Sequence, residues 1–270
     1  MLVYLATYPR SGNSLLQRIM TTSFWRLPAQ VKVAPRADMP VPRAEGWEIS
    51  PPEADLRDPP IPGPLRDWLI RYRKSQTSEP ARWGFKAVPQ QLLTATDRRR
   101  LAAYDETFLI KTHHPPFPSY YPGEYVIQVV RHPGPVLRSY FRLLNAQAIK
   151  AGAPSPTLDQ VIDGRIPFGS WSSYHAAWAA ARDLIGPDAV LMKYADLIAR
   201  QADLREEIGA FLRLPIKSEE PVTFDAYGRK HVSLGVAGTD DSFESFYSSS
   251  QLKRLYSLHA NAVNALGLNL

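Results

Sequence analysis

The sequence predicts an α/β fold, a single domain over residues 1–270 built on a mostly parallel sheet flanked by helices. Three observations carry this expectation. Leu2-Val3-Tyr4-Leu5-Ala6-Thr7 is a nearly continuous apolar run, the pattern of a strand buried on both faces, and it leads into a polar loop and then a helical period. Short apolar strands go on alternating with helical patterns to the end of the chain. Hydrophobic residues make up 44% and charged residues 21%, the balance of a packed chain rather than a disordered one.

The elements follow in order. Tyr8-Pro9-Arg10-Ser11-Gly12-Asn13 ends the first strand, after which Leu15, Leu16, Ile19 and Met20 recur at three- and four-residue spacing, with Asn13 or Ser14 as the expected N-cap. The segment 28–64 holds ten prolines in 37 residues, which bars a long helix or a central strand. It reads either as an irregular surface excursion or as a loop lining a substrate cleft. Further strands are expected at Arg82–Val88, Thr107–Lys111, Tyr125–Val130 and Ala189–Tyr194. Helices are expected at Val136–Ala148, Trp171–Leu184, Leu197–Leu212 and Gln251–Leu266.

Composition narrows the function. The chain has no cysteine, which removes disulfides, thiolate metal sites and cysteine nucleophiles together. Thirty-two Lys and Arg against 26 Asp and Glu give a net charge of +6, suited to an anionic ligand. The basic residues are dispersed and match no nucleic-acid module, so no nucleic-acid partner is expected. No run approaches the ~20 apolar residues of a membrane span, and Met1–Thr7 is too short for a signal-peptide core. A cytoplasmic protein is the expectation.

In a parallel sheet the ligand site lies beyond the carboxyl ends of the strands, and three of those ends are basic. The first carries Arg10-Ser11-Gly12-Asn13-Ser14, where a glycine, a helix start and side-chain donors form an anion cradle. It lacks the G-x-x-x-x-G-K-S/T form of the nucleoside triphosphate loop. The second carries Lys111-Thr112-His113, a cation and a group titrating near neutrality on one face of an extended chain. The third carries Arg131, then Pro133-Gly134-Pro135, then Ser139 inside the following helix. Each alone reads equally well as a turn or an exposed basic end. Together they imply a ligand with separated anionic groups, a nucleotide carrying more than one phosphate. No acidic pair suited to Mg²⁺ accompanies them, which points to transfer of a group less charged than a γ-phosphoryl, such as a sulfonyl.

These residues resemble the motifs of the sulfotransferases that use 3′-phosphoadenosine 5′-phosphosulfate (PAPS), whose fold is P-loop-NTPase-like. Thr7 to Ser14 is similar to the family's 5′-phosphosulfate loop, Lys111-Thr112-His113 to its catalytic strand end, and Arg131 with Ser139 to its 3′-phosphate motif. Gly169-Ser170-Trp171, Tyr194-Ala195-Asp196-Leu197 and Arg229-Lys230-His231 resemble further family segments, in the family's order. The chain departs from the pattern at Arg10, where cytosolic animal members carry Lys. It departs again at Leu15, in place of an aromatic beside the adenine, and at His231, in place of Gly. Thr223-Phe224 is a candidate replacement for that aromatic.

The resemblance implies attack of an acceptor hydroxyl (or amine) on the sulfonate of PAPS, releasing 3′,5′-adenosine diphosphate (PAP) with no metal required. His113 would be the general base, with Lys111 and Arg10 stabilising developing charge. Ser11, Gly12, Asn13 and Ser14 would cradle the 5′-phosphate, Arg131 and Ser139 the 3′-phosphate. Tyr194, Arg229 and Lys230 would complete the cofactor site. The acceptor would be a small molecule, or a glycan or lipid hydroxyl. His132, His175 and His259 read as structural, and Tyr120-Tyr121 as candidate walls of the acceptor pocket. The alternatives are a P-loop-type kinase or NTPase and a nucleotide-binding protein without catalysis.

Overall fold

A computed structural model of the chain describes residues 1–24, 95–103, 107–217, 219–222 and 243–268. The proline-rich 28–64 segment, the strand expected at 82–88, Thr223, Phe224, Arg229, Lys230 and His231 lie outside the described residues.

Four parallel strands, β1 (Leu2–Thr7), β2 (Phe108–Thr112), β3 (Glu124–Val130) and β4 (Ala189–Lys193), form a sheet in the order β2-β1-β3-β4. Leu2 aligns with Phe108 on one side and with Glu124 on the other, and Val126 aligns with Ala189. The apolar runs form buried strands because both sheet faces are covered. Leu2, Tyr4 and Ala6 point into a core built with α3 (Pro133–Ala151), α4 (Leu158–Ile162), α5 (Trp171–Ile185) and α8 (Ser249–Ala265). Val3 and Leu5 point into a second core with α1 (Asn13–Phe24), α6 (Tyr194–Ala199) and α7 (Gln201–Leu212). A further helix, α2 (Ala95–Ala103), precedes β2. Every residue of β1 is inaccessible to solvent. Burying each Val or Leu contributes about 1.5–3 kcal/mol, so this strand is a rigid base for the loop it feeds.

The expectations need four adjustments. The helix expected over Leu197–Leu212 is two, α6 and α7, broken where Arg200 leaves helical backbone (φ −125°, ψ 40°) and its side chain reaches forward to Asp203 and Glu207. Helix α1 begins at Asn13, with the Gly12 carbonyl accepting from Leu15 and Leu16; Asn13 is its first residue and does not cap it, since its amide turns back to donate to Thr7 and its Oδ1 accepts from no backbone amide among the described residues. Tyr194 opens α6 instead of ending β4. The five-residue α4, too short to show a period, is set by a capping box in which Thr157 and Gln160 satisfy each other's backbone.

The carboxyl ends of β1, β2 and β3 adjoin one another. The chain places β2 on one side of β1 and β3 on the other, so the topological switch among the described strands falls at the end of β1.

Candidate active site at the carboxyl ends of the strands

The loop after β1 is a tight turn in which the Ser11 amide donates to the Tyr8 carbonyl at 3.1 Å. Arg10 (φ 74°) and Gly12 (φ 107°) both adopt left-handed backbone. At Gly12 the absence of a side chain is obligatory: a Cβ there would fall 2.5 Å from Cδ2 of Tyr194. Ser11 is wholly buried and its Oγ has no hydrogen-bond partner among the described residues. A buried hydroxyl left without an acceptor is costly unless a ligand completes it, and an anionic oxygen fits. Ser14 lies exposed at the start of α1.

At the end of β2, Nδ1 of His113 lies 2.6 Å from the Thr7 carbonyl oxygen and 3.2 Å from Thr7 Oγ1. A carbonyl can only accept, so Nδ1 carries the hydrogen and the neutral ring keeps its lone pair on Nε2. The Asn13 amide donates to Thr7 Oγ1 at 2.7 Å and so fixes the residue that fixes His113. Burial, then the Lys111 ammonium, push the His113 pKa down to about 3, opposed by the Thr7 hydrogen bond, with His114 and Arg10 adding smaller depressions. The ring is therefore neutral at physiological pH. The His114 backbone carbonyl accepts from the Trp178 indole at 3.1 Å.

At the end of β3, Arg131 and Ser139 meet Arg10. Arg10 Nε donates to Ser139 Oγ at 2.9 Å, and Arg131 donates to the Arg10 carbonyl at 3.5 Å. The Arg131 guanidinium carbon sits 4.1 Å from the centre of the Tyr194 ring, a stacked cation–π contact. Tyr194 thus packs between Gly12 and Arg131 and joins the β1 loop to the end of β3. Burial, and then Arg131, lower the Arg10 pKa, as expected where two cations share a site. The structure therefore brings Arg10, Ser11, Gly12, Asn13, Lys111, His113, Arg131, Ser139 and Tyr194 to one edge of the sheet.

Phe168 was not among the expected site residues. Its ring centre lies 5.6 Å from that of His113 and 5.5 Å from that of His114, and the residue is 38% exposed. It holds left-handed backbone (φ 73°), which a bulky residue adopts only under constraint. The constraint is visible: Tyr140 Oη donates to the carbonyl of Pro167 and Tyr8 Oη to that of Gly169, each at 2.8 Å. Neither periodicity nor composition marks Phe168; only its place beside the flagged Gly169-Ser170-Trp171 could have drawn attention to it.

Other candidates resolve as structural. Tyr120 packs edge-on against Tyr4 and Phe117, near the buried Arg98–Glu124 ion pair at the amino end of β3. His175 accepts from Gln128 in the core at 2.9 Å, His259 lies 2.5 Å from Ser172 Oγ, and His132 caps α3 by accepting from the Gly134 amide. Trp178 is wholly buried.

Residues 2–227 match the family described as Sulfotransferase domain. Among solved structures the chain is similar to a mouse sulfotransferase in complex with PAP, at 13% identity, covering 97% of this chain and 84% of that one with a TM-score of 0.52. It is also similar to retinol dehydratase in complex with androsterone and the inactive cofactor PAP, at 14% identity, covering 100% and 82% with a TM-score of 0.54. The same enzyme with retinol and PAP gives 14% identity, 100% and 83% coverage and a TM-score of 0.53. At these identities the likeness establishes the fold. No curated protein sequence matches the chain.

Proposed function

The chain belongs to the sulfotransferase domain family, and we propose that it transfers the sulfonate group of PAPS to an acceptor hydroxyl with His113 as general base. The observation that carries the base assignment is the hydrogen bond from His113 Nδ1 to the Thr7 carbonyl, which leaves the Nε2 lone pair to take a proton. Bound PAPS would supply an activated sulfonate and, as leaving group, the nucleotide PAP. As Nε2 accepts the hydroxyl proton, the Thr7 carbonyl steadies the imidazolium through Nδ1–H. Lys111 stabilises negative charge developing beside it, and Arg10 adds to the same positive field.

The residues present suit an anionic nucleotide. Ser11, with its unpartnered buried hydroxyl, serves the 5′-phosphate together with the Gly12 and Ser14 segment of the loop. Asn13 acts there by holding Thr7. Arg131 and Ser139 serve the 3′-phosphate, and Tyr194 orients Arg131 through its stacked ring. Arg229 and Lys230 enter on the family resemblance alone. Phe168 offers an apolar face beside His113, which suits a small-molecule alcohol or phenol. Glycan and lipid hydroxyls are the other acceptor classes to be screened. Among the described residues no helix is long and apolar enough to cross a membrane. A cytoplasmic setting and independence from metal complete the proposal.

The test is a transfer assay with PAPS and a panel of alcohols, phenols and amines, in the presence of a chelator, with PAP release as the readout. Acceptor-dependent PAP formation that His113→Ala abolishes is expected. Acceptor-dependent release that His113→Ala leaves intact would remove the base assignment.

A further inference from the structure

The strand that leads to His113 does not run on past it. β2 ends at Thr112, and the Thr112 hydroxyl accepts from the His114 amide at 3.1 Å, a turn held by a side chain. The Trp178 indole holds the same residue from its other end, donating to the His114 carbonyl at 3.1 Å. An extended chain would send side chains 113 and 114 to opposite faces. Here the turn brings both rings to Phe168, with centres 5.6 Å and 5.5 Å from its own and interplanar angles of 68° and 76°. The two imidazoles differ in what they bond. His113 is tied to Thr7 through Nδ1. His114 is half-buried, and neither of its ring nitrogens has a hydrogen-bond partner among the described residues. Burial lowers its pKa, so the ring is neutral at physiological pH and offers one N–H and one lone pair.

We infer that His114 is a specificity-determining residue that takes a second hydroxyl of the acceptor, so that diols and diphenols are preferred to the matching compounds with one hydroxyl. The inference rests on the assignment of His113 as the base and of Phe168 as the apolar face beside it. An acceptor that lies on Phe168 with one oxygen at His113 also covers His114 and strips water from its ring. Covering a polar group without giving it a partner is costly. A second hydroxyl removes that cost, and because a hydroxyl both donates and accepts it pairs with either tautomer of the ring. An apolar substituent of the same size leaves the imidazole unpaired. The reacting oxygen gives its proton to Nε2 of His113 and gains the sulfonate as the bond from sulfur to the nucleotide oxygen breaks. The second hydroxyl keeps its proton throughout.

The experiment is a transfer assay with PAPS on isosteric pairs of phenols: catechol, resorcinol and hydroquinone against the ortho-, meta- and para-cresols, in which a methyl replaces the second hydroxyl. Values of kcat/KM, counted per reacting hydroxyl, are compared in the parent and in His114→Leu. In the parent at least one dihydroxybenzene should exceed its cresol by about tenfold to a hundredfold, and the pair that does so reports the spacing of the two imidazoles. His114→Leu should bring that ratio to within about threefold of one, with the cresol gaining because its methyl then meets an apolar side chain. His114→Asn, which keeps a donor and an acceptor, should retain part of the preference, a rescue that a packing role would not give. Ratios near one for every pair in the parent, or a preference that survives in His114→Leu, would overturn the inference. So would a His114→Leu that lowers both members of a pair by the same factor. Should His114→Leu fail to fold, His114→Phe makes the same comparison. A parent that transfers sulfonate to aliphatic alcohols or amines but to none of these phenols overturns the inference and leaves the sulfotransferase reading standing, whereas a parent that forms PAP with no acceptor of any class removes both.

Discussion

His113 Nδ1 lies 2.6 Å from the Thr7 carbonyl oxygen, a contact that ties the end of β2 to the end of β1 and fixes the tautomer of the imidazole. The Asn13 amide, 2.7 Å from Thr7 Oγ1, braces it from the first residue of α1. A side chain oriented by backbone is positioned before any substrate arrives, which is what a general base requires. Replacing His113 by Ala should therefore lower kcat by about 10²–10⁴-fold. PAP affinity should stay within a few-fold, separating chemistry from binding in the same preparation.

Anion binding should move the same group. Burial and then the Lys111 charge hold the His113 pKa down at about 3. A bound anion offsets the cationic field and favours the protonated ring, so the pKa should rise on addition of PAP. NMR titration of the His113 ring with and without PAP checks this; an unchanged or lower pKa would contradict it.

Acid should destabilise the fold through two core histidines. His175 and His259, each 1% exposed, are held neutral, with burial pushing their pKa values down to about 3 and about 4. In the unfolded chain they titrate near ~6.5. Between those values the unfolded state binds more protons, so stability falls as pH drops below about 6.5, by up to about 1.4 kcal/mol per pH unit for each ring. His113 adds in the same direction. Urea midpoints at pH 7.5, 6 and 5 should descend, and His175→Phe should flatten the slope.

Gly12→Ala should fail for a local reason. The new methyl would meet the Tyr194 ring, and the left-handed backbone would be strained besides. A loss of about 1–3 kcal/mol in thermal or urea unfolding is expected, and PAP binding should weaken because Tyr194 also carries Arg131.

Phe168→Ala removes the aromatic face beside His113 and His114. Acceptor KM should rise several-fold while PAP affinity is unchanged. Tyr8→Phe and Tyr140→Phe, which release the Gly169 and Pro167 carbonyls, should shift acceptor KM in the same direction without touching the acceptor themselves.

Much of this architecture is legible from residue patterns. Leu2–Thr7 announces a buried strand because it is apolar on both of its alternating faces, and each face meets its own helical layer. The basic strand ends announce an anion site because so many donors at one sheet edge would otherwise be costly to assemble. What pattern cannot show is direction. Nothing in Arg10-Ser11-Gly12-Asn13 says that Asn13 turns back to Thr7 or that Arg10 leans to Ser139, since the first depends on the left-handed backbone at Arg10 and Gly12 between them and the second on a residue 129 positions away. Phe168 was missed for the same reason: its role follows from two tyrosine hydroxyls grasping the carbonyls on either side of it. The break at Arg200 comes from one residue's backbone, which a periodic apolar pattern reads straight through.

The measurement closest to the central claim is calorimetric titration of PAP against 5′-AMP, with chelator present, on the parent and on Arg131→Ala. Tighter binding of PAP, with the preference lost in Arg131→Ala, is the predicted result. Equal affinity for PAP and AMP in the parent would contradict the assignment of this site to PAPS.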